Sequence, residues 1–196
     1  SMPCNLGIIF CLVPHFLGIV FTLMVIYYDK ICFCCGKGCS GDIERLLMMP
    51  EDMLERKASD PGIIRNYSKV KTVLQNAVMI SDTERRVDSS FGEFIANWPE
   101  DDVISLWVYL KKHGSRLGGN TGPYALRTLG VDTFLMTVDV ETFLRNHNIV
   151  DSGTHSLRAL KATQHYFNEL REESGRSLSQ LSRLVSLGIG KNFTDD

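Results

Sequence analysis

Lys111-Lys-His-Gly-Ser-Arg-Leu-Gly-Gly-Asn-Thr-Gly-Pro-Tyr-Ala-Leu-Arg-Thr-Leu-Gly130 is the stretch on which the fold turns. Gly118, Gly119 and Gly122 crowd one short turn between two stretches with helical spacing. Glycine permits positive φ and close backbone approach, so the pattern predicts a tight connection between two helices. Proline is tolerated at the first position of a helix, where its missing N–H is not needed, so the second helix is expected to open near Pro123. The N–H groups at that start would face the turn and offer a seat for an anion such as a backbone phosphate. A turn with no ligand would use the same glycines, and the motif alone does not separate the two.

Charge adds a second observation. Residues 103–131 contain no Asp or Glu, yet they hold Lys111, Lys112, His113, Arg116 and Arg127. The whole chain has a formal net charge of −2. A nucleic-acid function therefore has to rest on a local basic patch, and this is where one is expected. The composition is otherwise that of a globular protein, with 44% hydrophobic and 22% charged residues, which argues against extensive disorder.

Outward from the hairpin, the periodicity is helical throughout. Val103, Leu106, Trp107 and Leu110 share one face of a helix that Asp101 or Asp102 can cap. Phe91, Phe94, Ile95 and Trp98 mark another, capped by Ser89 or Ser90 and ended by Pro99. Further upstream, Asp42 can cap a short helix over 43–48, and Pro50 can open the next with Glu51 and Asp52 in its first turn. Asp60-Pro-Gly reads as a turn, followed by apolar residues at helical spacing from Ile63 to Ala77. No alternating strand pattern occurs. The expected class is all-α.

The N-terminus differs from the rest. Residues 7–28 carry no formal charge apart from His15 as a possible cation, a length sufficient to span a bilayer. Pro14 would kink such a helix and His15 would be costly at its centre. Two buried helices broken at Pro14, a membrane span, and a segment foreign to the domain stay open as readings. All six cysteines (Cys4, Cys11, Cys32, Cys34, Cys35 and Cys39) fall in the first 39 residues. That distribution does not resemble a secreted disulfide framework, and a cytoplasmic location is expected, with membrane anchoring through 7–28 as the alternative. Four cysteines in eight residues could hold a metal, but structural zinc sites use two separated ligand pairs and no second pair exists. The domain boundary expected from composition lies between residues 41 and 42.

Several separated segments share a likeness. Leu-Gly-Gly-Asn-Thr-Gly-Pro-Tyr-Ala over 117–125 resembles the helix-hairpin-helix element of base-excision DNA glycosylases. Thr137-Val138-Asp139-Val140 resembles the element that carries that superfamily's catalytic aspartate. Residues 60–71 and 171–183 resemble segments of the 3-methyladenine DNA glycosylase I family, and the likeness covers about 42–190. The resemblance implies a helix-hairpin-helix glycosylase-like helical domain at 42–196. It implies a monomer that excises alkylated purines from double-stranded DNA, with Asp139 as the catalytic carboxylate. Lys111, Lys112, Arg116, Gly118, Gly119, Asn120, Thr121, Gly122 and Tyr124 would contact DNA. Tyr67, Trp98 and Trp107 would line the base pocket, where an aromatic face can hold a cationic purine. Relatives that also cut the backbone use a hairpin lysine; Tyr124 stands at the matching position, which implies base removal alone. No nucleotide cofactor is implied. The family's N-terminal zinc site has no counterpart here, since Cys4 is followed by Asn5 and no Trp precedes Trp98. Two other functions fit parts of the sequence: a non-catalytic helix-hairpin-helix DNA-binding protein, and a membrane-tethered helical protein.

Overall fold

The computed structural model describes residues 40–59, 66–151 and 153–189. Every regular element among them is an α-helix: α1 Ser40–Leu47, α2 Glu51–Ala58, α3 Tyr67–Val87, α4 Phe91–Ala96, α5 Val103–His113, α6 Thr121–Thr128, α7 Val138–Asn146, α8 Leu157–Ser174 and α9 Leu178–Ile189. The all-α class expected from periodicity is observed. The chain forms two compact units, Ser1–Val78 and Met79–Asp196, and the division falls inside α3. Most of the N-terminal stretch, including residues 7–28 and the six cysteines, lies outside the described residues, as does the Asp60-Pro61-Gly62 turn. Among the described residues, no helix is long and apolar enough to cross a membrane.

In the first unit, Leu54 of α2 and Val70 of α3 are buried against each other, with Met49, Tyr67 and Leu74 packed around them. Pro50 opens α2, and the N–H groups of Met53 and Leu54 turn back to its carbonyl. Glu51 and Asp52 occupy the first turn as expected. Asp42 is not a cap: α1 begins at Ser40, so Asp42 sits inside the helix. Asn66 caps α3, its Oδ1 accepting from Lys69 N at 3.2 Å.

In the second unit, local sequence fixes several helix starts. Ser90 caps α4 in a capping box with Glu93, whose side chain returns to the Ser90 N–H. Asp102 caps α5, accepting from Ser105 N. Val103, Ile104, Leu106, Trp107 and Leu110 form the buried face of α5, as their spacing predicts. That face meets Phe134, which stacks on Phe167 of α8 at 4.9 Å between ring centroids and tilts against Trp107 at 4.8 Å. Phe134 is fully buried, and burying such a side chain contributes roughly 1.5–3 kcal/mol. α8 also caps α5 from outside, because Gln164 Oε1 accepts from Ile104 N at 2.8 Å. α9 packs along α7 and α8, while α5 packs on α6 and α8. The extended segment 131–137 threads between these helices, with Thr133, Phe134, Leu135 and Met136 all buried.

Candidate nucleic-acid interface and catalytic carboxylate

The glycine turn joins α5 to α6. Gly119 has φ +60°, in the left-handed region that strains any residue with a side chain. Gly122 is required for a different reason: a Cβ there would lie 2.6 Å from the Leu117 carbonyl oxygen. The turn therefore closes on itself through backbone. α6 begins at Thr121, two residues earlier than the proline suggests, and Pro123 is the third helical residue. It is tolerated there because the first four N–H groups of a helix have no partner inside it.

Asn120 stands at the N-cap of α6 but makes no capping bond. Its amide instead donates to the Met136 carbonyl at 2.7 Å. This bond ties the hairpin to the segment leading into α7. Asp139 follows Met136 by three residues, so their Cα atoms are at most about 11 Å apart. The start of α6 has no side-chain cap; the Thr121 N–H bonds to Gly118 O at 3.3 Å, Gly122 is buried, and Pro123 has no N–H to offer.

Lys111 and Lys112 are exposed at the end of α5, and Arg116 is exposed in the turn with φ 58°. Lys111 also lies across Gly118, its Cγ 3.4 Å from where a Cβ would be. Gly118, Thr121 and Tyr124 are partly exposed along the same turn and helix start. Two residues of the expected patch have other roles. The His113 ring packs on Tyr109, 4.6 Å between centroids. Arg127 turns inward: Nε donates to Thr133 O at 2.9 Å and Nη2 to Ser182 Oγ at 2.6 Å. Burial pushes its guanidinium below the ordinary value, with Asp132 acting in the opposite sense.

Asp139 is the second residue of α7. That helix is capped by Thr137, whose Oγ1 accepts from Val140 N at 3.3 Å. The Asp139 carboxylate is half-buried, and Oδ2 accepts from Ser186 Oγ of α9 at 3.1 Å. Its neighbour Val138 is 79% exposed, so this helix start reaches solvent.

Each of the expected pocket residues has partners of its own. Trp107 is 7% exposed, and its indole N–H donates to Thr133 Oγ1 at 3.1 Å. It is a core residue with no open face for a base. Trp98 sits edge-on to Phe94, and its N–H donates to Asp102 O and Ser105 Oγ. It lies just past the end of α4. Tyr67 belongs to the first unit, where its hydroxyl donates to Glu51 Oε1 at 2.6 Å. That bond to Glu51, the largest cause, pushes the Tyr67 phenol up to about 12.

Sequence reasoning passed over Ser186, which bonds Asp139, and the residues that fix the start of its helix α9. Asp132 caps α9, accepting from Leu178 N at 2.7 Å and Ser179 N at 2.8 Å. Thr133 O accepts from both Arg127 and Ser179. The local signal for a cap was there, Asp followed by Thr, but it pointed to a helix some 46 positions away. Glu141 is also engaged, with Thr154 Oγ1 at 2.9 Å, His155 Nε2 at 3.0 Å and Arg145 at 3.6 Å. Among the described residues, no cluster of His, Cys, Asp and Glu is arranged to hold a metal.

Compared with known families, with curated proteins and with solved structures, the chain gives no significant match to any of them.

Proposed function

We propose that this protein is a monofunctional DNA glycosylase that removes alkylated purines, 3-methyladenine among them, from double-stranded DNA. One observation carries the reading. The Asp139 carboxylate is half-exposed at a helix start, and the backbone leading to it is hydrogen-bonded to the glycine hairpin through Asn120. Such an arrangement lets a backbone-gripping turn and a negative charge act on one nucleotide.

The chemistry follows from those parts. A damaged base leaves the stack more readily than an intact one, and the extruded nucleotide brings C1′ toward Asp139. An alkylated purine is already cationic, so it departs as a neutral base when the C1′–N bond breaks and takes the bonding electrons. Positive charge then develops on the sugar, and the Asp139 carboxylate stabilises it. Water adds to C1′ and gives its proton to Asp139, leaving an abasic site. Tyr124 cannot form a Schiff base as an amine would, so the strand stays intact. Lys111, Lys112 and Arg116 neutralise phosphates beside the glycine turn.

The test is release of base from alkylated duplex DNA by the full chain and by Asp139→Asn. Release by the native chain, lost in the variant with DNA affinity kept, supports the reading. No release from a native chain that still binds duplex DNA overturns it in favour of a non-catalytic binding module. Parallel loss of release and binding in the variant assigns Asp139 a structural role instead.

A further inference from the structure

Ser179, Ser182 and Ser186 lie three and four residues apart, so they share one side of α9. The outer two hydroxyls meet the 132–139 stretch that carries the candidate carboxylate, and the middle one meets Arg127 of α6. Ser179 Oγ donates to Thr133 O at 3.2 Å, Ser182 Oγ accepts from Arg127 at 2.6 Å, and Ser186 Oγ donates to Asp139 Oδ2 at 3.1 Å. The start of the same helix is fixed on Asp132 by two backbone N–H bonds. Ser179 and Ser186 are about 10 Å apart along the axis at 1.5 Å per residue. α9 is thus registered against the segment from Asp132 to Asp139 at both ends.

The three contacts differ in kind. The first two serines meet a backbone carbonyl and a structural guanidinium. Ser186 meets the ionisable carboxylate that the glycosylase reading needs. A serine inside a helix usually returns its hydroxyl to the carbonyl one turn back; this one reaches across to another helix.

We propose that Ser186 is a positioning residue: its hydroxyl holds Asp139 Oδ2 and so fixes the carboxylate with Oδ1 turned to the reacting sugar. The proposal rests on the glycosylase reading for its function, though the contact can be tested without it. Asp139 takes its orientation from a helix more than forty residues downstream, since its own helix is capped by Thr137. Without the Ser186 hydroxyl, the carboxylate would sample several rotamers and lose its preorganisation.

Two measurements on the full chain test this. Carboxyl carbon NMR, with the Asp139 signal identified from Asp139→Asn, reads the contact in the absence of DNA. Ser186→Ala is expected to move and broaden that signal at fixed pH, whereas Ser186→Thr, which keeps a hydroxyl, restores it. In single-turnover base release, Ser186→Ala is expected to lose about tenfold in rate, the worth of a hydrogen bond to a charged group. DNA affinity stays within twofold, and Ser186→Thr recovers most of the rate. An unmoved Asp139 signal in Ser186→Ala overturns the proposal, and so does an undiminished rate. If the signal moves but the native chain releases no base, the contact stands and the glycosylase reading falls.

Discussion

Asp132 and Asp139 stand at two helix starts of the second unit, and the protein uses them in opposite ways. At α9, Asp132 turns both carboxylate oxygens to backbone N–H groups. At α7, a threonine does the capping, and Asp139 is left with a single hydroxyl bond from Ser186. Other acidic groups near helix starts resemble Asp132. Glu93 closes a capping box on Ser90, and Glu51 accepts from Tyr67 and pairs with Lys71. The comparison teaches that an acidic residue in a first turn is ordinarily occupied with the fold. Asp139 is relieved of that duty by the Thr137 hydroxyl, which is why the proposed reading gives it the chemistry.

Exchanging the two aspartates for neutral residues breaks the comparison most directly. Asp139→Asn is expected to reduce base release by at least about a hundredfold, in the range seen when one electrostatic stabiliser is removed. Its thermal midpoint should stay near that of the native chain, because Thr137 still caps α7. Asp132→Ala is expected to do the reverse. Losing two bonds from a carboxylate to backbone N–H groups costs about 1–3 kcal/mol of stability. Base release per folded molecule should be much less affected than in Asp139→Asn. A stability loss in Asp139→Asn as large as that in Asp132→Ala, by denaturant titration, would erase the distinction between the two sites.

How much of this could be read from sequence follows the range of each interaction. The Ser90 cap and the Val103–Leu106–Trp107–Leu110 face depend on neighbours within one or two turns, and both are found where spacing put them. Asp42 misled because α1 starts two residues earlier, at Ser40. Trp107 read as core from its spacing and as a base platform only from the resemblance, since an aromatic side chain at helical spacing does not declare its partner; Phe134 and Thr133 decide for the core. Arg127 looked like part of a basic surface because charge is visible in sequence and burial is not. Its partners Thr133 and Ser182 lie 6 and 55 positions away. Ser186 carried no signal, because its value comes only from meeting Asp139 across 47 positions.

The contrast between exposed and inward cations yields a smaller effect. Lys111, Lys112 and Arg116 to alanine together should weaken duplex binding about tenfold at moderate salt. The slope of log affinity against log salt should flatten by about two to three, at roughly 0.9 for each phosphate that is no longer neutralised. Arg127→Ala should leave that slope unchanged and lower stability, since its guanidinium is committed to Thr133 and Ser182. Equal slopes for the triple variant and the native chain, measured by titration at several salt concentrations, would remove the hairpin patch from DNA binding.

The smallest effect is at the start of α2, where Glu51 tests whether an occupied carboxylate always behaves like Asp132. The Tyr67 phenol is pushed up to about 12, first by its hydrogen bond to Glu51, while Glu51 is held below its ordinary range, first by that same bond. Both groups are exposed, so solvent screens the pair and its contribution to stability is slight. The signs are opposite. The tyrosine's share is fully present below about pH 10, the unfolded value, and fades as pH rises from 10 toward 12. The glutamate's share is present above its unfolded value near 4.5 and is lost as pH falls through its lowered folded one. Ultraviolet titration of phenolate in the native chain and in Tyr67→Phe should show the missing chromophore as one that ionises near 12 and not near 10. In Glu51→Gln the Tyr67 ionisation should move back toward 10, because a neutral amide no longer penalises the phenolate. If Tyr67 still ionises late in that variant, the carboxylate is not what occupies it, and Glu51 leaves the company of Asp132.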